Sequence, residues 1–270
     1  MYLQYYGLRE LPFNITPDPH FLFLSEKHQE ALNHLLFGIR ERKGFIELTG
    51  DVGAGKTTIC RRLLELLGPS YKVALILNPC LTMNQLLRCI VTELNVDVRA
   101  FDRVTCLEAL NAFVLAQAKQ NYDVVVIIDE AQDLTNKLLE QLRLLSNLET
   151  NNRKLLQIVL MGQPELREKL AQPTLRQLRQ RITVRYHLNP LDPAETGNYI
   201  HHRLTLAGAN SRPTFDASAV ALVHQQAGGV PRIINAICDK TLLAGFVRRT
   251  DQLTDDLVQL AVAELQGTQA

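Results

Sequence analysis

The strongest chemical signal in the chain is Gly50-Asp51-Val52-Gly53-Ala54-Gly55-Lys56-Thr57, with Thr58 directly behind it. The spacing is GxxxxGK[ST], set between an apolar run, Phe45–Leu48, and a helical pattern at 56–67. Its glycines let the backbone wrap around phosphates with N–H groups turned inward, and the positive end of the next helix faces the same anion. Lys56 would neutralise β- and γ-phosphates, and the Thr57 hydroxyl would bind Mg2+. A second signal is the run Val124–Ile128 closed by Asp129 and Glu130. A buried strand ending in two acids delivers carboxylates beside a phosphate loop. Asp129 is expected to hold Mg2+, directly or through water, and Glu130 to orient and deprotonate the attacking water. The bland alternative is a helix N-terminus that favours acids.

The elements that must position these groups follow from periodicity. Short apolar runs at Phe45–Leu48, Val73–Leu77, Val124–Ile128, Ile158–Met161 and Ile182–Tyr186 alternate with helical patterns near 56–67, 83–94, 105–120, 135–149 and 165–178. Short apolar strands separated by helices predict a five-stranded parallel sheet covered on both faces. Ahead of them, residues 8–23 form an irregular, proline-rich stretch. A helix follows in which Ser25 can cap and Leu32, Leu35, Leu36 and Ile39 recur at helical spacing. After Pro190 the pattern becomes purely helical, at 194–207, 216–227, 231–247 and 254–265, with Asp216 and Thr254 as expected N-caps and no strand between. The expected division is an N-terminal segment and first helix over 1–43, an α/β core over 44–190 and a helical domain over 191–270, hinged at Asn189-Pro190-Leu191-Asp192-Pro193.

Composition agrees with a globular chain. The 270 residues are 46% hydrophobic and 21% charged, which excludes wholesale disorder. The net charge of +1 gives no global field for a polyanion. No stretch approaches the ~18 apolar residues of a membrane span, and the first ten residues lack a signal-peptide layout. Five cysteines, at 60, 80, 89, 106 and 238, form no CxxC pair. They read as reduced, packed thiols of a cytoplasmic protein.

Taken together, YGLRELPF, TPDPHFLFLSEKHQEAL, TGDVGAGKTT, VVVIIDEAQDL, VLMGQPELREKL, LRQRI and GGVPRIINAICDKTLLA resemble the AAA+ superfamily of ATPases. More narrowly, they resemble the ATPase domain of the ExeA/GspA family of general secretion pathway proteins. Transposition ATPases of the TniB/TnsC type share several of these pieces. The resemblance implies a P-loop NTPase fold with a small helical lid, ATP or ADP with Mg2+ as ligands, and a homo-oligomer, ring or filament, with ATP between subunits. It implies a secretion-system or cell-envelope partner. It also fits the cytoplasmic part of an inner-membrane protein whose membrane span and wall-binding domain lie outside these residues. The TniB/TnsC resemblance implies instead a DNA-dependent regulator of transposition.

Site roles implied by the resemblance extend beyond the loop and the acids. Gln163, closing the fourth apolar run, takes the place of a polar sensor of the γ-phosphate or the water, where asparagine is common; an ordinary loop amide is the alternative. Asn78, after the second run, could hold the catalytic glutamate off until a partner engages, or form a turn before Pro79. Arg232, after Pro231 at the start of a helix, would reach the phosphates and report nucleotide state to the lid. Arg167, Lys169, Arg176, Arg179, Arg181 and Arg185 face one acid, Glu168. They supply either an arginine finger, Arg181 first and Arg179 second, or a basic face for DNA phosphates. Phe13, Pro17, Phe21 and Leu22 offer apolar walls for adenine, or core packing.

Overall fold

A computed structural model of the chain describes residues 1–14, 19–77, 79, 81–146, 149–150 and 153–267. Asn78, Pro17 and Cys80 lie outside the described residues. Packing divides the chain into two compact units, one made of residues 28–50 and 59–188, the other of residues 1–27, 51–58 and 189–270.

The first unit is built on a five-stranded parallel sheet: β1 (Phe45–Gly50), β2 (Tyr71–Ile76), β3 (Asp123–Ile128), β4 (Leu156–Gly162) and β5 (Ile182–Leu188). Its order is β2-β3-β4-β1-β5. The chain leaves β1, crosses to the far edge and works back, so β4 returns beside β1 and β5 closes the other side. All β1 and β4 residues are buried, as are the last five of β3. That is why these strands read as continuous apolar runs: helices cover both faces of the sheet. Those helices include α4 (Met83–Glu93), α5 (Arg103–Lys119) and α6 (Asn136–Leu145). Thr82, Asp102 and Thr135 accept first-turn backbone N–H bonds at their N-termini. Truncating a fully buried strand residue such as Ile127 to alanine costs about 2–5 kcal/mol.

The expected helix at 165–178 is two helices, α7 (Pro164–Ala171) and α8 (Arg176–Arg181), split by a tight turn at Pro173–Leu175. Proline removes a backbone donor and disfavours helix in the residue before it, which is where the break falls. The pattern at 135–149 also overran. The helix stops at Leu145, and Glu149–Thr150 pairs antiparallel with Arg153–Lys154.

The second unit joins an unforeseen short helix, α1 (Tyr2–Tyr6), to helices α9 (Pro193–Leu206), α10 (Ala217–Ala227), α11 (Pro231–Val247) and α12 (Asp255–Leu265). Its core gathers Tyr6, Phe13 and Phe21 with Ile200, Val223, Ile234 and Leu257. The Tyr2 hydroxyl donates to Asp239 at 2.5 Å and that of Tyr6 to the Leu242 carbonyl at 3.1 Å. A helix of only five residues is too short to hold itself, and these bonds tie it down. Asp192 and Glu195 form a reciprocal capping box on α9, and Asp216 caps α10 through the Ala219 N–H at 2.7 Å. Thr254 precedes α12 as expected, but its side chain makes no capping bond; its hydroxyl donates to Asp256. A parallel pair, Thr214–Phe215 with Gln252–Leu253, corrects the expectation that this region holds no strand.

Candidate functional site

The phosphate-loop residues follow β1 directly, and helix α3 (Lys56–Leu67) begins at the lysine. Gly53 and Gly55 have φ of +81° and +102°, in the region where only glycine is unstrained. The Ala54 N–H reaches back to the Asp51 carbonyl at 3.1 Å, closing the loop. Lys56 is buried, and its Nζ donates to the same carbonyl at 2.9 Å. Helix α11 starts against this loop. Pro231 sits in its first turn, and the Arg232 N–H points to the Gly53 carbonyl at 3.4 Å. A Cβ on Gly53 would stand 2.5 Å from the Arg232 Cβ. The turn before α11 is set by Gly228 and Gly229, both at positive φ, and the Gly229 carbonyl accepts from the Leu191 N–H at 2.9 Å. Thus Gly53, Lys56, Pro231 and Arg232 lie close together around the loop. Thr57 and Thr58 occupy the first turn of α3.

Phe13 and Phe21 are placed differently. Phe13 packs edge-on against Phe215 with ring centres 6.3 Å apart, and Phe21 lies under the Arg203 guanidinium at 4.8 Å. Both rings are inside the helical core and present no open wall. Arg203 also donates to the Pro12 carbonyl at 2.5 Å and the Tyr199 hydroxyl at 2.7 Å, so this stretch is held by buried polar bonds as well.

In the sheet unit, Asp129 and Glu130 stand at the end of β3. Asp129 is buried, its N–H continues the ladder to Ile76 at 2.9 Å, and its Oδ1 accepts the Glu130 N–H at 3.0 Å. Glu130 itself has φ 51°, an uncommon backbone state for a residue with a side chain. Its Oε2 accepts Gln132 Nε2 at 2.8 Å and Gln163 Nε2 at 3.2 Å, while Gln132 Oε1 accepts the Gln163 N–H at 3.1 Å. The two amides fix the carboxylate with charge-assisted bonds and leave its second oxygen outside that clamp. Gly162 keeps this space open, since a Cβ there would lie 2.8 Å from Gln132 Oε1. Gln132 was not singled out by the sequence reading, although it lies in the DEAQ string. Lys169 braces the same turn by donating to the Leu134 carbonyl at 2.8 Å and to that of Gln132.

Cys60, on α3, is buried, and burial together with the nearby Asp129 charge pushes its thiol up to about 12. Burial likewise raises the thiols of Cys106 and Cys238. The described cysteines are free and, as expected, packed as small apolar groups. Among the described residues no group of three or more His, Cys, Asp or Glu is arranged to hold a metal. Thr57 carries a hydroxyl and Asp129 a carboxylate, hard oxygen donors of the kind that magnesium takes.

The basic segment separates by role. Arg181 is turned inward, its Nη1 donating to Ser146 Oγ at 2.9 Å and to the Arg143 carbonyl at 3.3 Å. Arg185 pairs with Glu47 at 3.2 Å. Arg167, Arg176 and Arg179 are exposed. Among the described residues no helix is long and apolar enough to cross a membrane.

Comparison with known proteins agrees with this geometry. A family model described as AAA domain matches residues 39–170. General secretion pathway protein A of Aeromonas hydrophila is 46% identical over 99% of this chain and 49% of its own length, so the chain spans about half of that relative. Among solved structures, the Aeropyrum pernix ORC2 protein in ADPNP and ADP complexes superposes with TM-score 0.68, at 19% identity, over 98% of this chain and 74% of its own. The Cdc6p of Pyrobaculum aerophilum gives TM-score 0.69, at 16% identity, over 94% and 70%. These two likenesses support the fold, and the secretion protein supports the sequence relationship. The chain thus shares its fold with these two structures, matches the AAA domain family over residues 39–170, and is similar in sequence to the half of general secretion pathway protein A that it spans.

Proposed function

We propose that the chain hydrolyses ATP in a Mg2+-dependent reaction at subunit interfaces, and that the resulting lid motion drives assembly or remodelling of a secretion or cell-envelope machine. The observation that carries the hydrolytic reading is the amide clamp on Glu130. A carboxylate oriented by Gln132 and Gln163 at a strand end is built to place and deprotonate a water. Thr57 and Asp129 would hold Mg2+, which neutralises phosphate charge when bound. The loop amides and Lys56 bind the phosphates, and Gln163 senses the terminal one through its bond to Glu130. Arg232, packed on the Gly53 loop, reports the same event to α11.

The neighbour's arginine is better assigned to exposed Arg179 than to Arg181, whose donors are engaged within its own chain. The secretion role comes from the relative's name and covers only the half of it that this chain spans. A cytoplasmic location follows from the need for ATP. For the DNA-dependent alternative, three of the six cations are already bonded to protein groups, which weakens a continuous phosphate-binding face.

The test has two arms. Specific ATPase activity should rise with protein concentration, and Arg179→Ala mixed with Glu130→Gln should regain activity that neither has alone. Strong, salt-sensitive stimulation by duplex DNA would favour the alternative.

A further inference from the structure

Glu47 stands where a strand of a covered parallel sheet should carry an apolar side chain. It lies mid-β1, its side chain is 5% exposed, and the phosphate loop begins shortly after it. Its register partner on β5 is Arg185, and the next pair on the same face is Thr49 with His187. Both pairs are bonded. Arg185 Nε is 3.2 Å from Glu47 Oε2, and Thr49 Oγ1 is 3.0 Å from His187 Nδ1. Arg185 does a second job: its Nη2 donates to the carbonyl of Arg179, at the end of α8. One unbroken chain of side-chain bonds therefore runs from the strand that bears the phosphate loop, through the edge strand, to the backbone of Arg179.

Stability does not account for this charge. Burial pushes the Glu47 carboxyl above its usual range, even though Arg185, Arg167 and Arg179 pull it down. The ionised form loses more in desolvation than the arginines return, so an apolar or amide side chain would serve the fold at least as well.

We propose that Glu47 is a positioning residue for ATP hydrolysis: through Arg185 it fixes the turn that presents Arg179, so the strand bearing one subunit's phosphate loop sets the arginine offered to the neighbour. The inference rests on the trans-arginine reading above and adds what holds that arginine in place. It also links adjacent sites, because a loop that tightens on its own phosphates pulls on β1 and hence on the Arg179 that the same subunit offers to its neighbour.

The test uses Glu47→Gln, Arg185→Ala, Arg185→Lys and Arg179→Ala, at concentrations where wild-type specific activity has reached its plateau. Glu47→Gln should keep its melting temperature and bind ATP within about threefold of wild type, while kcat falls roughly 10- to 100-fold, the cost of displacing a catalytic group by about an ångström. Arg185→Lys should be nearly as slow as Arg185→Ala, because a single ammonium replaces the planar fork that spans both partners. Glu47→Gln subunits keep an intact loop and Glu130, whereas Glu130→Gln subunits keep a well-placed Arg179, so mixing them should exceed the sum of the two alone.

If Glu130→Gln rescues Arg179→Ala but not Glu47→Gln, the trans reading stands and the role of Glu47 is overturned. If it rescues neither, the trans reading falls and the inference falls with it. Wild-type kcat in Glu47→Gln, or a loss of ATP affinity and stability that parallels the loss of kcat, also overturns it. Should Glu47→Gln fail to fold, Arg185→Lys carries the same comparison.

Discussion

Replacing Gly53 by alanine probes whether the phosphate loop and α11 are shaped around each other. Two costs follow from the loop geometry. Gly53 sits at φ +81°, where an L-residue pays about 1–2 kcal/mol. The new Cβ would also lie 2.5 Å from the Arg232 Cβ and 3.3 Å from the Val230 Cγ1, closer in the first case than side-chain carbons approach. The Arg232 Cβ is fixed to the helix backbone and cannot swing aside, so the loop must give. A loop that relaxes turns its N–H groups off the phosphates. A combined penalty of about 2 kcal/mol or more corresponds to roughly 30-fold weaker ATP binding. The assay is titration calorimetry with ATP and with ADP in magnesium buffer, beside thermal unfolding of the apoprotein. Because the strain is relieved by shifting the loop and not the sheet core, unfolding should change little while affinity drops. Binding within threefold of wild type would refute the reasoning.

Other perturbations have equally definite outcomes. Gln163→Ala and Gln132→Ala each remove one amide from Glu130 and should lower kcat about 10-fold or more with ATP affinity kept, since a hydrogen bond to a charged group contributes about 1.5–3 kcal/mol; an unchanged kcat in both would remove the clamp from the mechanism. Bonds from the Glu195 and Ala219 N–H groups lower the carboxyls of Asp192 and Asp216 below the ordinary 3.8. Their caps therefore stabilise the fold above that value and are lost as pH falls through the depressed range. Melting temperature should fall steeply below pH 4, and Asp192→Asn/Asp216→Asn, which keeps a capping oxygen but cannot titrate, should show a shallower fall; an identical slope would contradict this. With its thiol near 12, Cys60 should resist iodoacetamide at pH 8 in the native protein and react on unfolding.

Much of this arrangement could be read from sequence because its signals are local. The phosphate loop is contiguous, the strands are covered on both faces and so print as apolar runs, and α10 and α11 announce themselves by Asp216 and Pro231. What could not be read depends on distant partners. Helix α1 is held by Asp239 and Leu242, far along the chain. Arg181 looked like a free arginine until Ser146 was placed beside it. Glu47 was passed over inside an apolar run, because its meaning needs the β1–β5 register. Gln132 differs: its neighbours in sequence flagged the site, but a 3₁₀ turn and the backbone state of Glu130 are what aim its amide. The break at Pro173 was visible in the residue itself and was overrun by the helical periodicity on either side.

The central claim is that Glu130, held at its strand end by two amides, activates water against ATP bound at the Lys56 loop. It is tested most directly by Glu130→Gln compared with wild type under single-turnover conditions with magnesium. ATP should bind the variant as tightly as wild type and remain uncleaved for at least 100 times longer. Hydrolysis at the wild-type rate, or an absence of ATP binding by folded wild-type protein, would contradict the account.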